Sequence, residues 1–459
     1  MPNLFANAAS ILLSDNAELL SDNAEDITGS DARQLLDALR YASATEIPAG
    51  GSQIGPETLH RANLLNAASR FVRVFELAAP EAPGLVSFGA EFDPAFADLL
   101  HAGSPLVGVS GVGLSLQEAF QGCIGEGVEY LSQLQNGSDL LLCSGVDDHA
   151  AKLGPPAQKL VAALAARRLR PDAGLSWHCA TRLSDGCEVL LPADLCLRRP
   201  QQQREFTPPF RLSVGSAAGT CWEAAALHGL LELIERDAAS LWWQGGQRGR
   251  TISPQDEAYA VAGSLLSQLR QTAVPRRRSW LLDITTDIGV PCVVAVSCLP
   301  DGFGLALGFA ARPKLATAAR SAILEMCQME LALAVVAAKQ GERGEAGLNA
   351  QDRIHLRRAS LINADQCPLL QPVAEQAEHL TISPTDPDAV LGLIVQRLQE
   401  LGIEAFCLDL TRPRFAIPVA RVIAPGLQLE PSEIVTARLA DTIARTGGGT
   451  TYTGGVALI

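Results

Sequence analysis

The feature that most constrains the fold is a pattern that recurs in separate segments of the 459-residue chain. In "GLSLQEAFQGCIGEGVEYLS", which begins at Gly113, Glu126 and Glu129 lie thirteen and sixteen residues after that glycine. In "GTCWEAAALHGLLELIERD", Glu232 and Glu235 lie at the same offsets from the first glycine, Gly219. A recurring offset of this kind predicts one supersecondary unit that is used more than once.

A third segment, "RPKLATAARSAILEMCQME", repeats the spacing from Arg312, with Glu325 at plus thirteen and Gln328 at plus sixteen. Each segment also has an alanine at plus six: Ala119, Ala225 and Ala318. The apolar spacing around these residues predicts helices. Residues three apart share one helix face, so each helix presents an acid beside a second acid or an amide.

Paired carboxylates on a half-buried helix repel each other and lose solvation. Divalent cations remove both costs, and Mg²⁺ takes few protein carboxylates while water and phosphate oxygens fill its other positions. The pattern therefore predicts a clustered Mg²⁺–nucleotide site whose metal ligands are Glu126, Glu129, Glu232 and Glu235. The competing interpretation is that these are solvated glutamates at helix edges. No phosphate-binding GxxxxGK[ST] loop is present.

Composition excludes several classes of function. A net charge of −14 argues against a nucleic-acid or anionic-membrane binder. The 11 cysteines show no CxxC or zinc spacing, which is typical of free thiols in the cytoplasm. The N-terminus does not resemble a signal peptide, and no run approaches about 18 apolar residues, so no membrane span is predicted.

Helical and strand-like segments mix without a regular βαβ rhythm, which predicts an α+β, or mixed, fold. The prediction divides the chain into a tail and helix over residues 1–55, a catalytic domain over 56–430, and a C-terminal helix with a Gly-rich tail over 431–459. Within it, one long helix is expected at 57–78, and 341–352 is expected to be a loop. Further helices are expected at 31–42, 115–136, 157–169, 256–271, 314–340 and 387–402, and a hairpin at 175–197.

Four stretches resemble the YcaO family. They are "SGVGLSLQEAFQGCIGEGVEYLS" at 110–132, "SVGSAAGTCWEAAALHGLLELIERDAASLWW" at 213–243, "ARSAILEMCQ" at 319–328 and "LDLTRPRFAIPVARVIAPGLQ" at 408–428. The resemblance covers roughly residues 55–430. It implies a YcaO-like fold and an ATP- and Mg²⁺-dependent enzyme that phosphorylates the backbone amide oxygen of a ribosomally made precursor peptide. Attack by a neighbouring side chain would give an azoline, and attack by an external sulfur source would give a thioamide.

The resemblance also implies roles for individual residues. The four glutamates above would bind Mg²⁺ and the ATP phosphates, Arg236 would contact phosphate, and Glu235 and Arg236 would be the catalytic pair. The other residues implied at the nucleotide are Ser213, Gly219, Arg320, Glu325 and Gln328. A separate peptide-recognition or TfuA-type protein is the expected partner, and a homodimer is compatible with the family.

Some positions depart from the family pattern. Relatives often carry a basic residue where Val112 stands, arginine where Tyr130 stands and a second glutamate where Ala224 stands. These changes motivate an alternative, a non-catalytic accessory protein. Azoline-forming members often end in a PxPxP tail, whereas this chain ends "TYTGGVALI", which favours thioamide formation. A hydrolase that pairs His178 or His228 with a cysteine is a third hypothesis.

Overall fold

The computed structural model describes residues 56–458, apart from residues 145–148, 150, 168, 170–173 and 273. The predicted N-terminal tail and helix over 1–55 lie outside the described residues. The helices are α1 (Pro56–Ala68), α2 (Leu116–Gln133), α3 (Pro155–Ala165), α4 (Ala193–Cys196), α5 (Trp222–Trp243), α6 (Glu257–Arg270), α7 (Leu315–Arg343), α8 (Ala350–Leu361), α9 (Pro387–Glu400), α10 (Ala437–Thr446) and α11 (Thr450–Thr453).

The strands form three antiparallel sheets, which confirms the mixed α+β prediction. Their bounds are β1 (Arg73–Glu76), β2 (Val86–Phe92), β3 (Val107–Gly113), β4 (Leu142–Ser144), β5 (Leu175–Arg182), β6 (Glu188–Pro192), β7 (Ser216–Ala218), β8 (Arg278–Asp283), β9 (Cys292–Cys298), β10 (Ala306–Ala311), β11 (Phe406–Asp409) and β12 (Val419–Ile423). The strand orders are β1-β2-β3, β10-β9-β8 and β4-β5-β11-β12-β7, with β6 paired to β5.

Each glutamate-bearing helix follows an edge strand of a different sheet: α2 follows β3, α5 follows β7 and α7 follows β10. Small residues let strand and helix approach closely. A Cβ at Gly308 would lie 2.1 Å from the N atom of Met326, and one at Gly111 would lie 2.2 Å from that of Cys123. The three matched segments are therefore three copies of an edge strand packed on its own helix.

Two local predictions were wrong. The long helix expected at 57–78 ends at Ala68, and Arg73–Glu76 instead pairs with β2 as strand β1. The segment "RFVRVFE" is rich in β-branched and aromatic residues, which favour a strand. The loop expected at 341–352 runs into helix α8, whose start is fixed by a capping box between Asn349 and Asp352.

Helix α7 corrects the statement that no segment could span a membrane. It has 29 residues, and its most apolar 18-residue window has a mean hydropathy of 1.6, so length and composition alone would allow a span. In the structure, its residues Ala319, Ala322 and Ile323 are buried in a core cluster shared with α6, β9 and β10. Here α7 acts as a helix of the protein core.

Residues from 431 to 458 pack into the same core as α5. Trp243 donates its indole N–H to the carbonyl of Val456 at 2.7 Å, and Leu458 is fully buried. The buried carboxylate of Asp237 pairs with Arg438 of α10 at 2.9 Å. These contacts attach the C-terminal helix to the helix that carries Glu232 and Glu235.

Candidate functional site

The first glutamate of each pair accepts a main-chain N–H from the strand of its own unit. Ser110 of β3 donates to Glu126 at 3.1 Å, and Gly215, just before β7, donates to Glu232 at 2.9 Å. Glu325 accepts the N–H of the fourth residue of β10 at 2.8 Å. An edge strand leaves such N–H groups unpaired. The carboxylates therefore cap the three edge strands and are themselves held in place.

The second member of each pair reaches the strand of the next unit. Glu129 of the first unit accepts the N–H of Ala218 at 2.8 Å, and Glu235 of the second accepts a main-chain N–H at the end of β10 at 3.2 Å. Gln328 of the third donates its amide to the Ser110 hydroxyl of the first at 2.9 Å. The three units thus close into a ring, here called the acidic ring: Glu126, Glu129, Glu232, Glu235, Glu325 and Gln328.

Burial makes the ring electrostatically unfavourable for a protein alone. It raises the pKa of Glu126 to about 7 and that of Glu129 well above its ordinary value, against the lowering effect of their N–H donors. It also raises the pKa of Glu232, and it raises that of Glu325 to about 7 with a further contribution from the charge of Glu235. The Glu126 side chain nevertheless keeps contact with solvent.

Arg236 provides positive charge beside the ring. Its guanidinium lies 3.5 Å from Glu235 and 3.7 Å from Glu232. Burial opposes the charge, but Glu235, Glu232 and Glu325 together raise the pKa of Arg236 above the ordinary value. Its Nε is buried and has no hydrogen-bond partner within the described part of the chain. A buried, unused donor on a fixed cation is suited to bind an anion such as phosphate.

The donor set fits Mg²⁺ bound together with phosphate. Each ring carboxylate uses one oxygen for a main-chain N–H, which orients the other oxygen, as second-shell bonds do for metal ligands. Among the described residues, no three His, Cys, Asp or Glu side chains form a ready metal cage. Mg²⁺ is commonly held by one or two carboxylates, with phosphate and water as further ligands. The residues therefore fit the ion as partial ligands.

Three other predicted residues lie around the ring. Arg320 pairs with Glu118 at 2.8 Å, and both side chains are about one third exposed, which places this pair at a rim between the first and third units. Ser213 is exposed, and its carbonyl accepts a main-chain N–H in the turn before β7. Gly219 is buried before α5, where a Cβ would lie 2.6 Å from the N atom of Ala225.

The positions that depart from the family pattern pack as apolar residues. Val112 lies on β3 against the third core cluster, and Ala224 is buried in the first turn of α5. The Tyr130 ring contacts Phe92, and the Arg198 guanidinium lies over it at 4.3 Å. In this fold all three side chains take part in packing.

Sequence reasoning missed the strand residues that hold the ring. Ser110 stands in the quoted "SGVG" run, but only the folded chain shows that it meets both Glu126 and Gln328. His228 also lies close to the ring, one helical turn before Glu232; burial and then the charge of Arg312 lower its pKa. The signal available in the sequence was the i, i+4 spacing of His228 and Glu232.

The other histidine of the hydrolase hypothesis, His178, forms no hydrogen bond with a thiol among the described residues. The His178 ring contacts the main-chain carbonyl of Cys179 at 2.8 Å. Burial, and then the charge of Glu188, raise the pKa of the Cys179 thiol, which disfavours the reactive thiolate.

Comparison with known proteins gives a family match over most of the chain. The model of a family described as YcaO cyclodehydratase, ATP- and Mg²⁺-binding, matches residues 110–428. An uncharacterized protein of Methanothermobacter thermautotrophicus is 29% identical over 56% of this chain and 66% of its own length. A Rhizobium leguminosarum bv. trifolii protein, described as an uncharacterized protein in the tfuA 3′ region, is 28% identical over 56% of this chain and 62% of its own. The aligned part is less than two thirds of either relative.

Solved structures share the fold. A heterocyclase in complex with substrate and cofactor superposes with a TM-score of 0.63 at 22% identity, over 82% of this chain and 52% of its own. The YcaO protein from Methanopyrus kandleri, bound with AMPPCP and Mg²⁺, superposes with a TM-score of 0.55 at 19% identity, over 82% and 91%. A chain of the E. coli microcin synthetase McbBCD complex also matches, with a TM-score of 0.55 at 13% identity. The match covers 77% of this chain and 87% of that one. At these identities the likeness concerns the fold.

Proposed function

The chain belongs to the YcaO family, and from that membership we propose that it uses ATP and Mg²⁺ to activate backbone amides in a ribosomally made peptide. The observation that carries the proposal is the acidic ring, in which five carboxylates and one amide are fixed by hydrogen bonds, with Arg236 beside Glu232 and Glu235. Such a set is costly unless cations bind it.

The roles follow from the contacts. Glu126, Glu129, Glu232 and Glu235 would hold Mg²⁺ through the oxygens that their N–H bonds leave over. Glu325 and Gln328 would complete the nucleotide pocket, and Arg236 would bind a phosphate through its Nε, which has no hydrogen-bond partner among the described residues. When bound, ATP supplies the phosphoryl group that turns the amide oxygen into a leaving group, and Mg²⁺ offsets its charge. Because the carboxylates are already fixed by main-chain donors, little reorganisation is needed on binding.

We propose thioamide formation, in which an external sulfur source adds to the amide carbon and the activated oxygen leaves as phosphate. The supporting observation is the 28% identity to the Rhizobium protein from the tfuA 3′ region. We accordingly propose a TfuA-type partner, with cytoplasmic localisation. Azoline formation requires the same activation but uses a side chain of the peptide as the nucleophile, so the product distinguishes the two.

The test is calorimetric titration of ATP with and without Mg²⁺ into the wild type, Glu232→Gln and Glu188→Gln. Glu188 is exposed on β6, away from the ring, and its variant is the matched control. Binding that requires Mg²⁺, persists in Glu188→Gln and is lost in Glu232→Gln supports the site. Mass spectrometry of a candidate precursor peptide then distinguishes replacement of oxygen by sulfur from loss of water.

The second candidate, an accessory protein that binds a partner enzyme, rests on Val112, Tyr130 and Ala224, which pack without offering a ligand. It predicts a well-folded wild type that binds no ATP at millimolar concentration. That result would contradict the enzymatic proposal.

A further inference from the structure

A separate cavity of about 600 Å³ lies between α3, the end of β12 and the start of α10. Its walls are mainly aliphatic and include Leu160, Val214, Leu233, Ile403 and Val422. None of the residues of the acidic ring lines it. A concave, mostly apolar cavity of this size is typical of a ligand site.

The charges of the cavity are of one sign. Lys159, Arg421 and Arg438 line it, and no Asp or Glu does among the residues that the structure describes. Arg438 is neutralised by Asp237 at 2.9 Å and Asp287 at 2.6 Å. Lys159 is exposed at the mouth and forms no ion pair with a described residue. In a chain of net charge −14, this is a local basic site.

Arg421 is the strongest sign of an anionic ligand, because its side chain is 1% exposed. Its guanidinium donates to the carbonyls of Leu195 at 2.8 Å and Val214 at 3.3 Å, to the Ser216 hydroxyl at 3.0 Å, and to the carbonyl of Leu212. No carboxylate of the described chain lies within ion-pair distance of it. The charge of Glu232 acts on Arg421 only from beyond that distance, so the buried guanidinium is incompletely compensated, which is costly. A carboxylate in the cavity would compensate that charge.

The cavity wall is connected to the acidic ring. Val214 and Leu233 line the cavity, and their neighbours Gly215 and Glu232 share the 2.9 Å hydrogen bond that fixes the Glu232 carboxylate. Val422, also in the wall, donates its N–H to the carbonyl of Gly215 at 2.6 Å. A ligand that displaces these wall residues would therefore alter a predicted metal ligand.

We propose that this cavity binds an aliphatic segment of the peptide substrate that carries a carboxylate, with the acid directed at Arg421 and Lys159. The assignment rests on the proposed function, since it takes the substrate to be a peptide. Val435 lines the mouth and is 64% exposed, so an occupant can continue out of the cavity over apolar surface, as a chain does. Occupancy reports to the nucleotide site through Gly215.

The experiment uses two synthetic acetylated and amidated pentapeptides, four leucines around a central glutamate and four leucines around a central glutamine, with octanoate as a small free acid. Calorimetry on the full chain should give a Kd for the glutamate peptide at least tenfold lower than for the glutamine peptide. Lys159→Gln should raise that Kd at least threefold, and Ala163→Phe, which fills the cavity, should abolish binding. Ala162→Phe, exposed on the same helix and outside the lining, is the matched control.

Equal affinity for the two peptides, or full binding by Ala163→Phe, would overturn the assignment. If octanoate binds and neither peptide does, the assignment is also overturned, in favour of a site for a free acid. Saturating glutamate peptide should change the Kd of MgATP at least threefold, and an unchanged Kd would overturn the coupling. Intact MgATP binding without peptide binding defeats this inference alone, whereas peptide binding without MgATP binding defeats the proposed function.

Discussion

Replacement of Glu129 by glutamine separates the two roles of the acidic ring. The Glu129 carboxylate accepts the N–H of Ala218 at 2.8 Å, and burial holds its pKa well above the ordinary value. Glutamine keeps a carbonyl that can accept the same N–H, but it carries no charge. Because glutamine keeps the hydrogen bond and removes the cost of burying a charge, we expect the free energy of unfolding at pH 7 without Mg²⁺ to fall by less than about 1 kcal/mol or to rise.

The loss of MgATP binding free energy in Glu129→Gln should be much larger than any loss of folding stability. Two unit charges about 4 Å apart interact by roughly 4 kcal/mol at an effective dielectric of about 20. The other ring carboxylates and water would replace part of this interaction energy. We expect a net loss of about 2.7 kcal/mol of binding free energy, which corresponds to an increase of about a hundredfold in Kd. Calorimetric titration of MgATP, with chemical unfolding of the same samples, measures both quantities.

Two further variants complete the test. Glu129→Ala leaves the N–H of Ala218 without an acceptor and should lose about 1–3 kcal/mol of stability as well as the affinity. Glu188→Gln, on the exposed face of β6, should change neither. Wild-type MgATP affinity in Glu129→Gln would mean that the carboxylate only caps a strand, and the metal assignment of Glu129 would be refuted.

Burial raises the pKa of Glu126 and Glu325 from 4.5 to about 7, so the folded chain binds these protons more tightly than the unfolded chain. The folding stability in EDTA should therefore fall as pH rises from about 4.5 to 7, while Mg²⁺ affinity rises. A melting temperature in EDTA that rises over this pH range would contradict this. Gly308→Ala, whose Cβ would lie 2.1 Å from a main-chain nitrogen, should lose more than about 3 kcal/mol in chemical unfolding, whereas Gly263→Ala, in open space within α6, should gain up to about 1 kcal/mol. Ser110→Ala removes the acceptor for Gln328 and should weaken MgATP binding about fivefold by calorimetry.

The residues of the ring could be predicted from the sequence because the evidence is local. The offsets that place Glu232 and Glu235 on one helix face need only helical geometry. The partner of Glu129 could not be predicted in the same way, since Ala218 lies 89 residues away and belongs to another sheet. Sequence spacing therefore identified the acids, while the ring depends on how three sheets meet.

The wrong predictions have a related cause. The apolar residues of 57–78 fit a helical period, which predicts one helix. The strand at Arg73–Glu76 is instead stabilised by pairing with β2, which is a tertiary contact. Helix α8, "AQDRIHLRRASL", has few apolar residues, so its periodicity gave no signal. Its capping box was the available local cue.

The one amide of the ring, Gln328, meets a different kind of partner from Glu129 and Glu235. Glu126 already accepts the N–H of Ser110, so the group that closes the ring at this strand meets the Ser110 hydroxyl. A hydroxyl can accept a hydrogen bond, and the Gln328 amide has N–H groups to donate, which an ionised carboxylate lacks. The amide also keeps the number of carboxylates in the ring at five, and a sixth would add repulsion among groups whose pKa values burial already raises. The difference between Gln328 and its counterparts Glu129 and Glu235 thus matches the partner at the last bond of the ring, a hydroxyl instead of a main-chain N–H. The three units can be alike in fold while only two supply a second acid.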